Sequence, residues 1–196
     1  YVATTLGVYY LEENEIGESC LQCSNFKKIS EIKSLCYEFY LFKDQLFVSS
    51  SKGIYEIIGT RAILFYNREA DEIKSVLRSK KNPSFIYLGY NDGFSAVKIV
   101  QGLLITEKKH PNIKGKISSI AEEPDGTVWL TSEDYGIYKL DPIEKYTSRA
   151  KVEFFDNKRA FDPKPDWVNL NETKEGILFS TSQGIYRFNH SDKKFY

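Results

Sequence analysis

An all-β fold of repeated four-stranded antiparallel units follows from three observations in the amino-acid sequence. One strand–turn–strand pattern recurs five times, its turn glycines step by 46, 40, 43 and 48 residues, and the composition favours strands, with 14 Tyr and 13 Phe in 196 residues. Intervals of roughly 40–50 residues are those of four-stranded propeller blades.

The five copies are VATTLGVY from Val2, FVSSSKGIY from Phe47, YLGYNDGF from Tyr87, WLTSEDYGIY from Trp129 and FSTSQGIY from Phe179, with the turn glycines at Gly7, Gly53, Gly93, Gly136 and Gly184. The chain therefore reads as a single β-propeller segment over 1–196, with about five blade repeats centred on those glycines. Within a repeat the elements come in order. An alternating inner strand is expected near 32–35, 73–76, 117–120 and 167–170. A tight hairpin follows, closed by Asp125-Gly126 and Glu175-Gly176, where glycine accepts positive φ. The second strand is apolar on both faces (Val128-Trp129-Leu130), which fits a strand covered by neighbouring blades, so Trp129 is expected in a blade interior. The turn glycine then reverses the chain, with positive φ expected at Gly136 and Gly184, into a Tyr-bearing third strand. A fourth strand closes the unit, as in 62–66 and 151–155.

Residues 117–131 align without a gap on 167–181, an offset of 50 residues. The segment 69–79 carries Ile73, Val76 and Leu77 at helical spacing, but its place in the repeat makes it an inner strand. The first copy starts at Val2 with no inner strand before it, which leaves an uncovered edge. Further blades in a larger propeller are the favoured cover. Closure of a small ring by the Lys193–Tyr196 region is the alternative.

Lys+Arg and Asp+Glu both number 27, which argues against the basic surplus a nucleic-acid binder needs. No apolar run approaches the roughly 20 residues that cross a bilayer, and no signal peptide opens the sequence.

The stretch ISSIAEEPDGTVWLT from Ile117, with Gly136-Ile137-Tyr138, resembles the two-component regulator propeller repeat. The likeness extends over nearly the whole chain. It departs at 73–99, where Asn82-Pro83 stands for the Asp-Gly turn and Tyr90 for Thr. The resemblance implies a non-catalytic part of a periplasmic ligand-sensing domain of a hybrid histidine kinase, a class that often responds to glycan fragments. It also implies an oligosaccharide ligand, additional propeller blades or domains of the same polypeptide, a homodimer of the full-length protein, no cofactor and no nucleic acid through this segment. Kinase activity would lie elsewhere in the polypeptide. Two other classes stay open: a propeller enzyme, such as a lyase acting on glycans or small metabolites, and a plain protein-interaction propeller.

Catalytic and metal-binding patterns find little support. His110 and His190 both sit in polar stretches, and Glu122-Glu123 matches a solvated turn. Cys20-x-x-Cys23 with Cys36 lacks a fourth zinc ligand. The readings left are a Cys20–Cys23 disulfide or strand cysteines acting as small hydrophobes. Two outer-to-inner connections offer binding chemistry. Residues 156–167 carry Arg159, Phe161, Asp162 and Trp167, and residues 106–116 carry Lys108, Lys109 and His110. Aromatic rings beside Arg and Asp suit a sugar through stacking and paired hydrogen bonds. The plainer reading is a solvated loop with Trp167 turned into the core.

Overall fold

The computed structural model describes residues 1–11, 26–42, 44–67, 71–101, 103–143, 147–156, 160–161, 163 and 165–196. These form two compact units, Tyr1–Ile73 and Lys74–Tyr196.

The first unit opens with β1 (Val2–Thr4), β2 (Gly7–Leu11) and β3 (Phe26–Lys28), paired antiparallel in that order. A complete blade follows: β4 (Cys36–Phe42), β5 (Gln45–Ser50), β6 (Gly53–Ile58) and β7 (Arg61–Asn67), each strand hydrogen-bonded to the next. Val48, Tyr55 and Ile57 of this blade pack with Val8, Ile29 and Ile32 in one core. The inner strand expected at 32–35 is displaced to Cys36–Phe42. Its hairpin is short, with Phe42 opposite Gln45, and a bulge lies between Cys36 and Phe39. Ile32 is left in the connection, fully buried. Gly53 shows why a glycine opens the third strand. It has φ +133°, and a Cβ there would lie 2.1 Å from the carbonyl oxygen of Tyr66 on β7.

The second unit holds two further four-stranded blades. One is β8 (Ile73–Arg78), β9 (Phe85–Tyr90), β10 (Phe94–Val100) and β11 (Leu103–Thr106). The next is β12 (Ile117–Glu122), β13 (Val128–Ser132), β14 (Gly136–Leu140) and β15 (Val152–Asp156), with a 3-10 turn at Thr147–Arg149 before its last strand. A fifth blade comprises β16 (Val168–Thr173), β17 (Gly176–Thr181) and β18 (Gly184–Tyr186), extended by the paired β19 (Phe188–Asn189) and β20 (Lys194–Phe195). The segment with helical spacing is indeed a strand, β8. All five repeat glycines have positive φ, including Gly136 (146°) and Gly184 (153°).

Stacking of these sheets makes the core. Every residue of β9 and β13 is buried, and β13 is covered on both faces by the blades before and after it. Phe85, Tyr87 and Phe94 pack on Val128, Leu130 and Tyr138, while Trp129 and Ile137 pack on Ile177 and Phe179. Trp129 is 0% exposed, with its ring centroid 4.8 Å from Phe188 and 5.1 Å from Phe179. Close approach demands small residues near the inner strands: a Cβ on Gly89 would meet Ile117 Cγ2 at 2.7 Å.

The gapless alignment of 117–131 on 167–181 is corrected by the pairing. In the fourth blade Ile117 faces Ser132 and Ser119 faces Thr131, so Ser118 bulges. In the fifth, Val168 faces Thr181 with no bulge, and Val168 takes the place of Ile117. Val168 is 7% exposed, and Trp167 is 48% exposed, so Trp167 does not turn into the core. The hairpin shifts the second strand too: Phe179 pairs with Tyr186 as Leu130 pairs with Tyr138, making Leu178 the counterpart of Trp129.

Candidate functional site

The described residues of the two connections singled out in the sequence are engaged by the blades beside them. In the 106–116 segment, the His110 amide donates to Phe94 O at 2.8 Å, and the Gly93 amide donates to Gly115 O at 2.9 Å. The Gly115 amide in turn donates to Asp92 Oδ1 at 2.9 Å. Lys109 donates through Nζ to Asp92 O at 2.6 Å and lies 4.8 Å from the Tyr90 ring centroid. His110 is 3% exposed. Its Nε2 donates to Ala150 O at 2.9 Å while Nδ1 accepts from the Asn112 amide at 3.2 Å. Both ring nitrogens are thus spent on backbone partners.

In the 156–167 segment the residues divide. Phe161 is 3% exposed, with its ring 4.9 Å from those of Tyr186 and Phe195, so it is a core residue and offers no stacking face. Trp167 is the aromatic left open to solvent. Arg159 and Asp162 lie outside the described residues, as do Cys20 and Cys23. Cys36 is buried and free, its Sγ donating to Ser34 O at 3.3 Å, and burial pushes its thiol up to about 11.

The polar centre that sequence reasoning missed is at the opposite ends of the inner strands. Glu122 matches a solvated turn in sequence yet is 5% exposed. Its carboxylate accepts from Ser79 Oγ at 2.6 Å and the Lys80 amide at 2.5 Å, both in the preceding blade, and from the Tyr87 hydroxyl at 3.4 Å. Burial and the neighbouring Glu122 carboxylate hold the Tyr87 phenol above its ordinary range. The Glu122 amide donates to Glu172 Oε1 at 3.0 Å, and Glu172 Oε2 accepts from Lys80 Nζ. Glu123 accepts from Trp129 Nε1 at 2.7 Å and lies 3.3 Å from His190 Nε2. Two cavities of about 420 Å³ flank Glu122. One is lined by Asn82, Tyr87 and Asp125, the other by Lys80, Pro124 and Lys174, and Lys81 borders both. The one available signal was the repeat itself, since Glu122 and Glu172 occupy the same inner-strand end.

What this arrangement does chemically is bind blade to blade. The Glu122 carboxylate has its lone pairs committed to protein donors, which suits a structural anchor better than a proton carrier. Among the described residues no group of three or more His, Cys, Asp or Glu side chains is placed to hold a metal ion. No helix among them is long and apolar enough to cross a membrane.

Antiparallel sheets of three or four strands in sequence order, stacked face to face within each unit and each with a repeat glycine at one strand-to-strand turn, define these units as β-propeller blades. Solved propellers resemble the chain accordingly. The extracellular domain of a putative hybrid two-component system from B. thetaiotaomicron matches with a TM-score of 0.64 and 17% identity, over 96% of this chain and 25% of that one. The extracellular domain of a putative one-component system from the same organism matches with a TM-score of 0.60 and 19% identity, over 82% of this chain and 21% of that one. The WD40 β-propeller domain of Doa1 matches with a TM-score of 0.54 and 14% identity, over 81% and 52%. The chain thus spans about a quarter or less of the two extracellular domains. At these identities the likeness establishes the fold. No family model and no curated protein matches the sequence.

Proposed function

We propose that this chain is part of the extracellular, periplasmic sensor domain of a two-component regulator, contributing propeller blades that recognise or relay a glycan fragment and performing no chemistry itself. The observation that carries the reading is the coincidence of two likenesses, one of sequence and one of fold. The ISSIAEEPDGTVWLT repeat resembles the two-component regulator propeller repeat, and the structure resembles extracellular domains of two-component and one-component systems. The engagement of His110, Glu122 and Glu123 by internal partners favours a scaffold over a catalyst.

Two measurements test it. The complete gene should encode, on the same polypeptide, a membrane-crossing helix and a histidine-kinase signature; a gene lacking both overturns the assignment. Thermal melts of the purified chain against a panel of oligosaccharides should reveal a stabilising sugar. Trp167→Ala should abolish that shift while leaving the unliganded melt unchanged, because the ring is 48% exposed. Turnover of an oligosaccharide by the chain alone would favour the lyase reading instead.

A further inference from the structure

One cavity carries a marked excess of a single charge. It measures about 470 Å³ and lies between the outer edge of the third blade and the 3-10 turn that precedes the last strand of the fourth. Lys98, Lys108 and Arg149 border it against one carboxylate, Glu107, with Ser148 and Ile105 beside them. Among the described residues the lining therefore carries a formal charge of +2, from three cations and one anion. The cavity beside Lys80 and Lys174, by contrast, sets three lysines against Glu122, Glu123 and Glu172 and is neutral. The turn that carries Ser148 and Arg149 is fastened to the third blade on both sides. The Thr147 amide and hydroxyl donate to Glu107 Oε2 at 2.8 and 2.7 Å, and His110 Nε2 donates to Ala150 O at 2.9 Å. Thr147 is fully buried and His110 nearly so. Lys98 passes over the Phe85 ring, with Nζ 5.0 Å from its centroid, so its stem is packed as well. Positive groups of two blades are thus brought to one cavity by contacts that exist before any ligand arrives.

We infer that this cavity is a binding site for a tetrahedral dianion, a phosphate or sulfate group, held between the third and fourth blades. The inference goes beyond the sensor reading and does not depend on it. A dianion matches the charge of the lining, whereas a carboxylate ligand would leave one positive charge uncompensated. The Arg149 guanidinium is a planar fork suited to two oxygens of such a group, the lysine ammoniums act as point charges, and the Ser148 hydroxyl is a further donor. Ile105, 51% exposed, gives the body of the ligand an apolar shoulder. Glu107 serves the site by holding the turn and opposes it by its charge. The two effects are separable, because Oε2 carries the contacts to Thr147 while Oε1 is buried with no hydrogen-bond partner.

Isothermal titration calorimetry of the purified chain tests this, with sulfate and methyl phosphate as probes and acetate as the monoanion control, all at one low ionic strength. Sulfate, methyl phosphate or both should occupy one saturable site per chain, and acetate should bind at least about tenfold more weakly. Binding of sulfate alone or methyl phosphate alone names the group, and binding of both assigns their shared tetrahedral chemistry. Lys98→Gln, Lys108→Gln and Arg149→Gln should each weaken binding by about tenfold, as for loss of one charged hydrogen bond, while Lys174→Gln at the neutral cavity should not. Glu107→Gln should tighten binding severalfold. It keeps an oxygen for Thr147 and removes the opposing charge, and since Oε1 has no partner no hydrogen bond is lost. A purely structural Glu107 would not move the affinity in that direction. Absence of saturable binding, acetate binding as tightly as the dianions, parental affinity in the Lys98, Lys108 and Arg149 variants, or a Glu107→Gln chain that binds no tighter than the parent overturns the inference.

Discussion

Replacing Glu122 measures how much one buried carboxylate contributes to blade stacking. Glu122→Ala leaves the Ser79 hydroxyl and the Lys80 amide without their acceptor, in a site where Glu122 itself is 5% exposed. Each orphaned buried donor costs roughly 1–3 kcal/mol, so the variant should lose about 2–6 kcal/mol. Glu122→Gln keeps one acceptor oxygen but turns a donor toward a donor, and should lose roughly 1–3 kcal/mol on the same scale. Ser79→Ala removes the hydroxyl along with its need for a partner and should cost only about 1 kcal/mol. In Glu122→Ala/Ser79→Ala the losses should therefore fall short of additive. Chemical denaturation followed by Trp129 fluorescence, in a Trp167→Phe background, reads all four proteins. A Glu122→Ala variant within about 0.5 kcal/mol of the parent, the range of ordinary surface changes, would refute the anchoring role.

Trp129→Ala empties the centre of a cluster formed by Phe155, Phe179, Phe188 and Phe195 and should cost roughly 3–5 kcal/mol; a loss below about 1 kcal/mol would contradict the packing. Gly53→Ala meets both a φ of +133° and the Tyr66 carbonyl at 2.1 Å, so its thermal midpoint should fall far more than for an exposed substitution such as Lys52→Ala. Burial holds the phenols of Tyr40, Tyr55, Tyr87 and Tyr138 above their ordinary range and the Cys36 thiol at about 11. Groups raised in the folded state favour folding fully below their unfolded values, near 8.5 for the thiol and about 10 for the phenols, and that contribution is lost as pH climbs toward the folded values. Stability should therefore decline from about pH 8.5 and more steeply beyond about pH 10. Phenolate absorbance at 295 nm should lag a model-peptide titration until the strand signal in circular dichroism is lost. Complete titration near pH 10 with that signal intact would refute the burial.

Repetition made the architecture legible, because glycines that must reverse a chain and aromatics that must sit between sheets leave the same marks in every copy. Gly136, Gly184 and Trp129 were recoverable for that reason. Register was harder to read. The bulge at Ser118 has no sequence signature of its own, so the gapless alignment placed Trp167 on Ile117 when Val168 holds that place. The displaced inner strand at Cys36–Phe42 has the same origin, a shorter hairpin that spacing alone does not reveal. The polar residues misled in both directions. Lys109 and His110 look like binding groups because they are charged and in a connection, yet backbone carbonyls claim them. Glu122 looks solvated because its neighbours are polar, yet donors from the preceding blade enclose it.

Glu122 also links the blades on either side of its own. Its carboxylate holds the third blade, its amide is held by Glu172 of the fifth, and Glu172 reaches past it to Lys80. In a stacked repeat whose units interact only with adjacent ones, stability is a sum of single-unit and nearest-neighbour energies, and an end unit can melt without disturbing the unit two places away. A residue gripped from both sides adds a next-nearest term. Loosening the fifth blade should then lower protection of the Lys80 and Lys81 amides in the third, giving the second unit a longer cooperative length than a simple one-dimensional array would have.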